Sequence, residues 1–444
     1  MDLILLSGGS GKRLWPLSND VRSKQFLKLF KNEAGEYESM AQRVVRQLRE
    51  VCPDAAVTIT TGESQKSAIL NQLAGPDGAG VSVCCEPSRR DTFPAIALAA
   101  AYLASEKGLG EDAPVIVCPI DPFVGPDYFA ALLRLEQAVR SGAADLVLMG
   151  AAPTYPSAKY GYFLPGAGTL ASPALGMHPV AWFKEKPTEE KAAGYIAEGA
   201  LWNCGVFGFK LGYLLRILGR YLPARQYREV YENYDKLPKI SFDYEVTERE
   251  RSVGCIRFDG SWKDVGTWNT LAEEMAEPAV GNVVLGEGCE NTHVVNELEQ
   301  PLLVMGARDM IVAAGPDGIL VSDKHQSSFI KPHVDALHQR VMFEEKSWGD
   351  FRVLHETAHS MTIHLSVRAG RQMSYHCHQG RDEVWTVLSG EGEALLEGES
   401  LPLAPGGVLR LPAGARHTLK AHTDMELIEV QLGRSIEDAD IEQF

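Results

Sequence analysis

The hydrophobic pattern of this chain changes near residue 275, and that change limits the folds open to it. Before this point, short apolar runs bounded by glycine or proline alternate with longer amphipathic ones. The runs Asp2–Ser7, Pro114–Pro119 and 145–150 predict buried strands, and residues 94–103 predict a helix. Such alternation is typical of an α/β domain whose mostly parallel sheet has helices on both faces. Sheets of this kind bind ligands beyond the carboxyl ends of their strands.

Beyond residue 275 the pattern becomes β-like. Short apolar runs follow one another over 280–324, separated by glycine turns with no helix between them, which predicts a small β module. From about residue 331 a third region is again rich in β-like runs. Ten of the twelve histidines lie between His325 and His422, which points to a separate chemistry there. We therefore predict three domains, at 1–275, 276–330 and 331–444.

Charge and composition exclude several classes of protein. The net charge of −16 argues against a dedicated nucleic-acid-binding protein and against an anionic membrane surface as partner. No basic segment precedes the short apolar run at the N-terminus, and no run reaches the roughly 18 residues of a membrane span. The eight cysteines are scattered and show no paired spacing, as expected for free thiols in the cytoplasm. The sequence leaves open whether the chain forms a homo-oligomer.

A glycine-rich loop follows the first predicted strand directly. It reads Gly-Gly-Ser-Gly-Lys-Arg-Leu-Trp-Pro-Leu over residues 8–17. Glycines let backbone N–H groups approach phosphate oxygens, and Lys12, Arg13, Arg22 and Lys24 place positive charge nearby. Two familiar phosphate loops do not fit. A Walker loop needs Ser or Thr where Arg13 stands, and a dinucleotide fingerprint needs glycine at position 14, which is leucine.

The loop instead resembles the signature of the sugar-phosphate nucleotidyltransferase family, Gly-x-Gly-x-Arg-Leu-x-Pro-Leu followed by a lysine. Further segments similar to those of the family follow in the expected order: EPSRRDTFPAIALAA (86–100), CPIDPF (118–123), KYGYF, FKEKP, LWNCGVFGFK and WKDVGTW. The resemblance covers about residues 1–275 and implies a Rossmann-like nucleotidyltransferase domain. Within the family, the segments at 86–100 and 201–205 resemble those of mannose-1-phosphate guanylyltransferases.

The resemblance implies a reaction and a set of residues. GTP and α-D-mannose 1-phosphate would give GDP-mannose and diphosphate, by in-line attack of a sugar-phosphate oxygen on the α-phosphorus. The protein then has to position two anions and neutralise the developing charge. The nucleotide would be bound by Leu6, Gly8, Gly9, Gly11, Lys12, Arg13, Lys24, Glu86, Arg90, Asp91 and Thr92. The sugar phosphate would be bound by Gly161, Glu185, Lys186 and Asn203.

The catalytic residues implied are Arg13, Lys24, Asp121 and Asp264. The two carboxylates would converge on one Mg²⁺, an ion usually held by one or two carboxylates together with phosphates. The family usually has histidine after the first aspartate, and here Pro122 stands in that position. This departure keeps the carboxylate and removes any role of the histidine.

A second constellation lies in the C-terminal region. His376 and His378 are two residues apart and would share a strand face, with Glu383 and His417 supplied from neighbouring strands. Three imidazoles and a carboxylate suit a divalent transition metal such as Zn, Fe, Mn or Ni. The glycine, histidine and glutamate spacings resemble the cupin signature and imply a cupin β-barrel after the short β linker module.

A cupin behind this nucleotidyltransferase resembles the bifunctional enzymes that also isomerise mannose 6-phosphate, but several positions differ. The isomerase-type segment has Gln at 376, consecutive histidines at 379–380, a basic residue at 363 and an arginine at 443. This chain has His376, Gln379-Gly380, Ile363 and Gln443. Fewer cations are therefore left to hold a sugar phosphate, and we expect weak or absent isomerisation.

Two other functions stay open from the sequence alone. One is the same chemistry on another hexose 1-phosphate or another base, because nothing in the residues themselves selects guanine. The other is a catalytically silent subunit that senses nucleotide sugars. The joint presence of Arg13, Lys24, Asp121, Lys186 and Asp264 argues against silence, since a sensor needs no metal carboxylates.

Overall fold

The computed structural model describes residues 1–444 except Ser10, His338, Ser435 and Asp438. The chain divides into two compact units. Unit 1 comprises Met1–Gly9, Gln25–Lys66 and Leu73–Gly266, and unit 2 comprises Ser10–Lys24, Ser67–Gln72 and Thr267–Phe444. The predicted glycine loop is therefore divided along the chain, with Gly8 and Gly9 in the first unit and Gly11 onward in the second.

The centre of unit 1 is a nine-stranded sheet. Unit 1 has the strands β1 (Asp2–Ser7), β2 (Lys28–Lys31), β3 (Tyr37–Ser39), β4 (Ala56–Gly62), β5 (Ser82–Glu86), β6 (Pro114–Pro119), β7 (Pro122–Val124), β8 (Leu146–Ala151), β9 (Tyr162–Pro165), β10 (Met177–Lys184), β11 (Leu201–Lys210), β12 (Val253–Phe258) and β13 (Trp262–Asp264). The large sheet has the order β5-β4-β1-β6-β11-β8-β12-β10-β9. The pairs β2–β3 and β7–β13 form separate two-stranded ladders.

The sheet is mixed, which refines the mostly parallel sheet expected from the sequence. Strands β5, β4, β1 and β6 run parallel to one another, as do β8 and β12. Strand β11 lies between β6 and β8 and runs antiparallel to both. The α/β fold class is confirmed, and the parallel block places the ends of β1, β5 and β6 at one edge.

Helices accompany the strands in chain order. They are α1 (Met40–Val51), α2 (Glu63–Gln72), α3 (Thr92–Ser105), α4 (Pro126–Ser141), α5 (Glu189–Ala197), α6 (Leu211–Leu218), α7 (Tyr227–Glu232), α8 (Trp268–Ala272) and α9 (Lys331–Asp335), with a π-helical turn at Asp243–Thr247. The predicted helix at 94–103 lies within α3, which is alanine-rich and buried along most of its length. Its small side chains allow close packing in the core of unit 1 with the strands β1 and β6.

Unit 2 contains the predicted β module. Its strands are β14 (Ala279–Gly281), β15 (Val283–Leu285), β16 (His293–Asn296), β17 (Leu302–Val304), β18 (Met310–Gly315) and β19 (Gly318–Asp323). The pairs β14–β16, β15–β17 and β16–β18 are parallel although no helix connects them. Successive turns of chain therefore stack directly, and a final hairpin, β18–β19, ends the stack.

The strands that follow α9 in unit 2 form a barrel of two facing sheets. Its strands are β20 (Phe343–Lys346), β21 (Gly349–Glu356), β22 (Ser360–Val367), β23 (His376–Cys377), β24 (Arg381–Ser389), β25 (Gly392–Leu396), β26 (Glu399–Leu403), β27 (Val408–Leu411), β28 (His417–Ala421), β29 (Met425–Gly433) and β30 (Glu442–Gln443). One sheet has the order β20-β21-β22-β29-β24-β27, and the other β26-β25-β28-β23-β30. Burial alternates residue by residue along β22 and β24, because one face of each strand lines the barrel interior.

Among the described residues, no helix is both long and apolar enough to cross a membrane.

Candidate active site and metal centre

The short ladder β7–β13 brings the two predicted magnesium ligands together in unit 1. Strand β13 pairs antiparallel with β7, and Asp264 lies directly opposite Pro122. Asp121 immediately precedes Pro122, so the backbones of the two aspartates are neighbours across this ladder although they are far apart in sequence. Both side chains are partly exposed. Two carboxylates at one strand end are the donor type that Mg²⁺ requires.

The four residues predicted to bind the sugar phosphate converge near the start of β11. Asn203 donates its backbone N–H to the Gly161 carbonyl over 2.8 Å. A Cβ atom built on Gly161 would lie 2.4 Å from Glu185 Oε2, so a side chain at this position would displace the carboxylate. Lys186 Nζ lies 2.9 Å from Glu185 Oε1. Lys186 itself has φ +45°, a strained backbone of the kind that persists at functional sites.

Asp243 belongs to this cluster although the sequence did not identify it. Its Oδ1 accepts from Asn203 Nδ2 over 2.7 Å, and Asn203 Oδ1 accepts from the Gly205 N–H over 3.1 Å. These two bonds fix the amide orientation of Asn203. Burial, and then the Glu185 charge, raise the pKa of Asp243 to about 7. Burial likewise raises the pKa of Glu185, although Lys186 opposes this shift.

Aromatic rings flank the ladder and the sugar cluster. The ring of Tyr160 lies 5.0 Å from that of Trp202 and 5.4 Å from that of Trp262, measured between centroids. Burial raises the pKa of Tyr160, and the Asp264 charge contributes. A site between carboxylates and aromatic rings can hold both the hydroxyls and the apolar face of a sugar ring.

The predicted nucleotide-binding residues of segment 86–92 lie between the end of β5 and the start of α3. Asp91 caps α3, accepting from the Thr92 N–H over 2.8 Å, and has φ +70°. Arg90 donates to the Leu237 carbonyl. Glu86 is buried and accepts from the Tyr234 hydroxyl over 2.5 Å. Burial raises its pKa to about 7.

Leu6, Gly8 and Gly9 mark the end of β1 in unit 1. Leu6 is partly buried and both glycines are exposed. The Gly9 carbonyl accepts from Gln65 Nε2 over 3.2 Å, which ties the end of the strand to the start of α2. Exposed glycine backbone beyond a parallel strand is the expected position for a phosphate loop.

The remainder of the loop belongs to unit 2. Gly11 is buried, and a Cβ atom there would lie 2.8 Å from Ser23 Cα. Arg13 is exposed on a short 3-10 turn, and Lys24 is partly exposed. Lys12 Nζ lies 3.4 Å from Asp20 Oδ2 and 3.2 Å from Asp335 Oδ1.

One expectation about this loop was wrong. Arg22 does not supply charge to a ligand, because its guanidinium is buried and forms a bidentate pair with Glu297 at 2.7 and 2.9 Å. The Glu297 carboxylate compensates the buried charge of the guanidinium. The pair also connects the loop to the β module within unit 2.

The barrel brings its four predicted ligands together. The ligand nitrogens of His376, His378 and His417 all lie within 4.8 Å of one another. Glu383 Oε1 lies 3.1 Å from His378 Nε2, and Glu383 Oε2 lies 3.2 Å from His417 Nε2. All four residues are buried.

The strand assignment of the carboxylate needs a correction. His417 is directly opposite His376 in a neighbouring strand, as expected. Glu383 lies on β24, in the facing sheet, because the chain crosses between sheets at Gln379-Gly380. The cluster thus joins both sheets of the barrel.

Hydrogen bonds orient the imidazoles for a metal ion. Nδ1 of His376 faces the Ser374 carbonyl at 2.8 Å, Nδ1 of His417 faces the Ala415 carbonyl at 2.9 Å, and Nδ1 of His378 contacts the Asp440 carbonyl. A carbonyl requires the proton on Nδ1, which leaves the Nε2 lone pair for a metal. Burial lowers the pKa of His376 to about 4 and that of His378 as well, so both rings are neutral.

Two buried atoms of the cluster have no hydrogen-bond partner among the described residues, Glu383 Oε2 and His417 Nε2. Their lone pairs face each other. Burial alone would lower the pKa of His417, but the neighbouring Glu383 carboxylate raises it overall, and a proton shared between the two atoms would satisfy both. A divalent ion would satisfy them equally, so these residues fit a metal.

Two further residues complete the barrel cluster. Arg381 Nη2 lies 3.2 Å from His378 Nε2, and Arg381 Nε lies 3.4 Å from Glu383 Oε1. Glu429 is buried, accepts from Trp385 Nε1 over 3.1 Å, and has its pKa raised to about 8 by burial and by Glu383. Alternation in the run Ile-Glu-Val-Gln predicts that its two apolar residues face inward, whereas Glu429 and Gln431 are the buried ones, so the sequence pattern did not indicate Glu429.

Comparisons with known proteins likewise assign the N-terminal and C-terminal parts of the chain to different families. Residues 3–279 match the family described as Nucleotidyl transferase, and residues 332–444 match the one described as Mannose-6-phosphate isomerase C-terminal. The chain is 30% identical to the mannose-1-phosphate guanylyltransferase of Escherichia coli (strain K12), over 99% of this chain and 97% of that one. It is also 30% identical to the xanthan biosynthesis protein XanB of Xanthomonas campestris pv. campestris (strain B100), over the same shares.

A solved structure from Thermus thermophilus, described as a mannose-1-phosphate geranyltransferase, has a TM-score of 0.61 to this chain. The two share 28% identity over 75% of this chain and 98% of that one.

Proposed function

The chain belongs to the nucleotidyl transferase family, and from that premise we propose that it converts GTP and α-D-mannose 1-phosphate to GDP-mannose and diphosphate. The observation that carries this proposal is the β7–β13 ladder, which makes Asp121 and Asp264 neighbours at a strand end. The full-length relatives named mannose-1-phosphate guanylyltransferase support the choice of base and sugar. A cytoplasmic location and a homo-oligomeric assembly stay predictions.

The proposed roles follow from charge and geometry. Asp121 and Asp264 would hold Mg²⁺, which when bound neutralises phosphate charge as diphosphate leaves. Arg13 and Lys24 would bind the triphosphate with Lys12 and the backbone of Gly8, Gly9 and Gly11. Leu6 and the segment with Glu86, Arg90, Asp91 and Thr92 would hold the nucleoside.

The sugar side is supported by the contacts of its own cluster. Lys186 would bind the phosphate of the sugar, and its ammonium already lies against the Glu185 carboxylate. Glu185 and Asn203 would accept and donate hydrogen bonds to hydroxyls, and Gly161 leaves room for the ring. Asp243 is a positioning residue, because it holds the Asn203 amide in one orientation.

In the barrel, His376, His378, Glu383 and His417 would hold one divalent transition metal. The ion would act there as a Lewis acid toward oxygen ligands. We also propose the domain boundaries at residues 275 and 330. They assign nucleotidyl transfer to the part of the chain before 275 and metal binding to the part after 330.

The function is tested by diphosphate release from four nucleoside triphosphates, each with mannose 1-phosphate, glucose 1-phosphate or no sugar. We expect release from GTP with mannose 1-phosphate and Mg²⁺ only. Asp264→Asn should lower kcat by about a hundredfold and raise the Mg²⁺ concentration needed. Asp259→Asn, at an exposed position of the same unit, is the matched control. Release from no pair would contradict the enzyme and favour a sensor, and another preferred pair would change the substrate.

A further inference from the structure

A cavity of about 550 Å³ opens over the metal cluster of the barrel. His376, His378 and Glu383 lie in its lining together with Arg381, Glu429 and Gln431. A volume of this size lies within the range of ordinary small-molecule binding sites. Nothing in the guanylyl transfer uses it.

One wall of this cavity is apolar. The inward residues of β22, Met361, Ile363 and Leu365, line it together with Val353 and Met373. All five belong to, or pack against, the hydrophobic core of the barrel. A ligand here therefore has a polar end at the metal cluster and an apolar body against this wall.

The basic side chains in the lining are already paired among the described residues. Arg340 Nε lies 3.3 Å from Glu356 Oε1, and Lys346 forms an ion pair with Glu344. Arg381 pairs with Glu383. A phosphate dianion is normally held by charge-assisted bonds to uncompensated cations. Positions 363 and 443 also line the cavity, and both carry uncharged side chains.

The metal cluster selects the charge of the ligand. A divalent ion bound by three neutral imidazoles and one carboxylate keeps a net positive charge, which a monoanion neutralises. An ion that takes more than four ligands, such as Mn²⁺, would accept oxygen atoms of a bound ligand in addition to the four protein donors. The Arg381 and Gln431 side chains, which both donate to Glu383, place further N–H groups at the polar end of the cavity.

We propose that this cavity binds a small monocarboxylate with a second oxygen next to the carboxyl group and a branched apolar chain, the class of the branched 2-oxo acids. The carboxylate and its neighbouring oxygen face the metal and Arg381, and the apolar chain packs on Met361, Ile363 and Leu365. The proposal rests on the metal site proposed above, and it excludes a sugar phosphate as the preferred ligand.

The test uses the full chain loaded with Mn²⁺, with metal content measured by elemental analysis before each titration. Isothermal titration calorimetry compares 4-methyl-2-oxopentanoate, pyruvate and mannose 6-phosphate, with and without metal. We expect the branched acid to bind about tenfold or more tighter than pyruvate, because its extra carbons are buried on the wall. Binding should disappear when the metal is removed, and mannose 6-phosphate should bind more weakly than either acid.

Substitutions at one wall position refine the test. Ile363→Asn should remove most of the preference for the branched acid, whereas the matched control Ile363→Leu should keep it within about threefold. Tighter binding of mannose 6-phosphate, equal binding of the two acids, or binding without metal would each overturn the ligand assignment. A protein that retains no metal would overturn the metal site as well, so the two failures are distinguishable.

Discussion

At the residue scale, some of the predicted ligand-binding residues have a strained backbone or a carboxyl with a raised pKa. Among the described residues, Asp91 and Lys186 are two of the few non-glycine residues with a left-handed backbone, and both were predicted to bind ligand. Asp243 and Glu86 are acids that burial makes hard to ionise. Such groups are common where a protein holds substrate.

Arg13 provides the sharpest test of the loop. We expect Arg13→Ala to lower kcat by about a hundredfold or more, because one preorganised donor to developing phosphate charge is lost. Arg228→Ala, at a highly exposed position on α7, is the matched control and should leave kcat unchanged. A catalytic rate within about threefold of the wild type would show that Arg13 does not contact the reacting phosphates.

Glu86 gives a pH-dependent prediction. Its pKa is raised from 4.5 to about 7 in the folded state, so the folded protein binds the proton more tightly than the unfolded one. Its contribution to stability is therefore fully present below pH 4.5 and is lost as pH rises through 7, by roughly 3 kcal/mol in all.

Glu86→Gln should remove this loss. The Tm of the variant relative to the wild type should rise between pH 5 and pH 8, as measured by calorimetry without nucleotide. Glu36→Gln, at an exposed position, should show no such trend. A constant difference across this range would mean that Glu86 is ionised normally in the folded protein.

At the element scale, the metal cluster links strands that belong to opposite sheets. His376 and His417 are paired within one sheet, and Glu383 comes from the other. A bound ion would therefore connect the two sheets and stabilise the barrel, because the unfolded chain has no comparable site.

His378→Ala tests this link. We expect the variant to retain no transition metal by elemental analysis and to lose the calorimetric stabilisation that added metal gives the wild type. Guanylyl transfer should be unaffected, since its proposed residues all precede residue 275. His359→Ala, at an exposed position of the same barrel, is the control. Metal retained at the wild-type ratio would contradict the assignment.

Sequence patterns predicted these elements unevenly. Strands β1 and β6 and the helix α3 were predictable, because short buried runs and a long alanine-rich run differ clearly in period. The antiparallel insertion of β11 was not, since a strand buried on both faces has the same apolar run in either direction. The facing-sheet position of Glu383 was missed for a similar reason. Spacing along the chain gives the distance between residues but not the sheet to which each strand belongs.

The site residues were likewise predicted where a sequence motif contains them and missed where only the three-dimensional contacts reveal them. Asp264 and Asn203 were predicted from segments that occur in a fixed order, and the structure places each of them beside another predicted residue, while their roles stay predictions. Asp243 and Glu429 were missed, because each acts through its neighbours rather than through a spacing pattern. Arg22 was misassigned because a sequence shows a cation but not the carboxylate that neutralises it.

At the scale of the whole molecule, one chain joins a nucleotidyl transferase domain to a barrel that matches a different family. The barrel matches an isomerase family, yet its cavity has paired cations and an apolar wall. We therefore expect little or no conversion of mannose 6-phosphate to fructose 6-phosphate by the metal-loaded enzyme. A coupled assay for fructose 6-phosphate measures this directly. Rapid isomerisation that His378→Ala abolishes would show that the barrel binds sugar phosphates after all.

The strand order of the large sheet has a consequence for synthesis on the ribosome. Strand β12 lies between β8 and β10, although it is made after both. Until residue 258 has left the exit tunnel, the nascent chain has two unpaired strand edges in the middle of its sheet. Such edges pair readily with other chains, so this enzyme should depend on chaperones or slow translation until β12 is inserted. The β7–β13 ladder, in which Asp264 lies opposite Pro122, forms later still, so a chain truncated before residue 262 lacks one of the two proposed magnesium ligands.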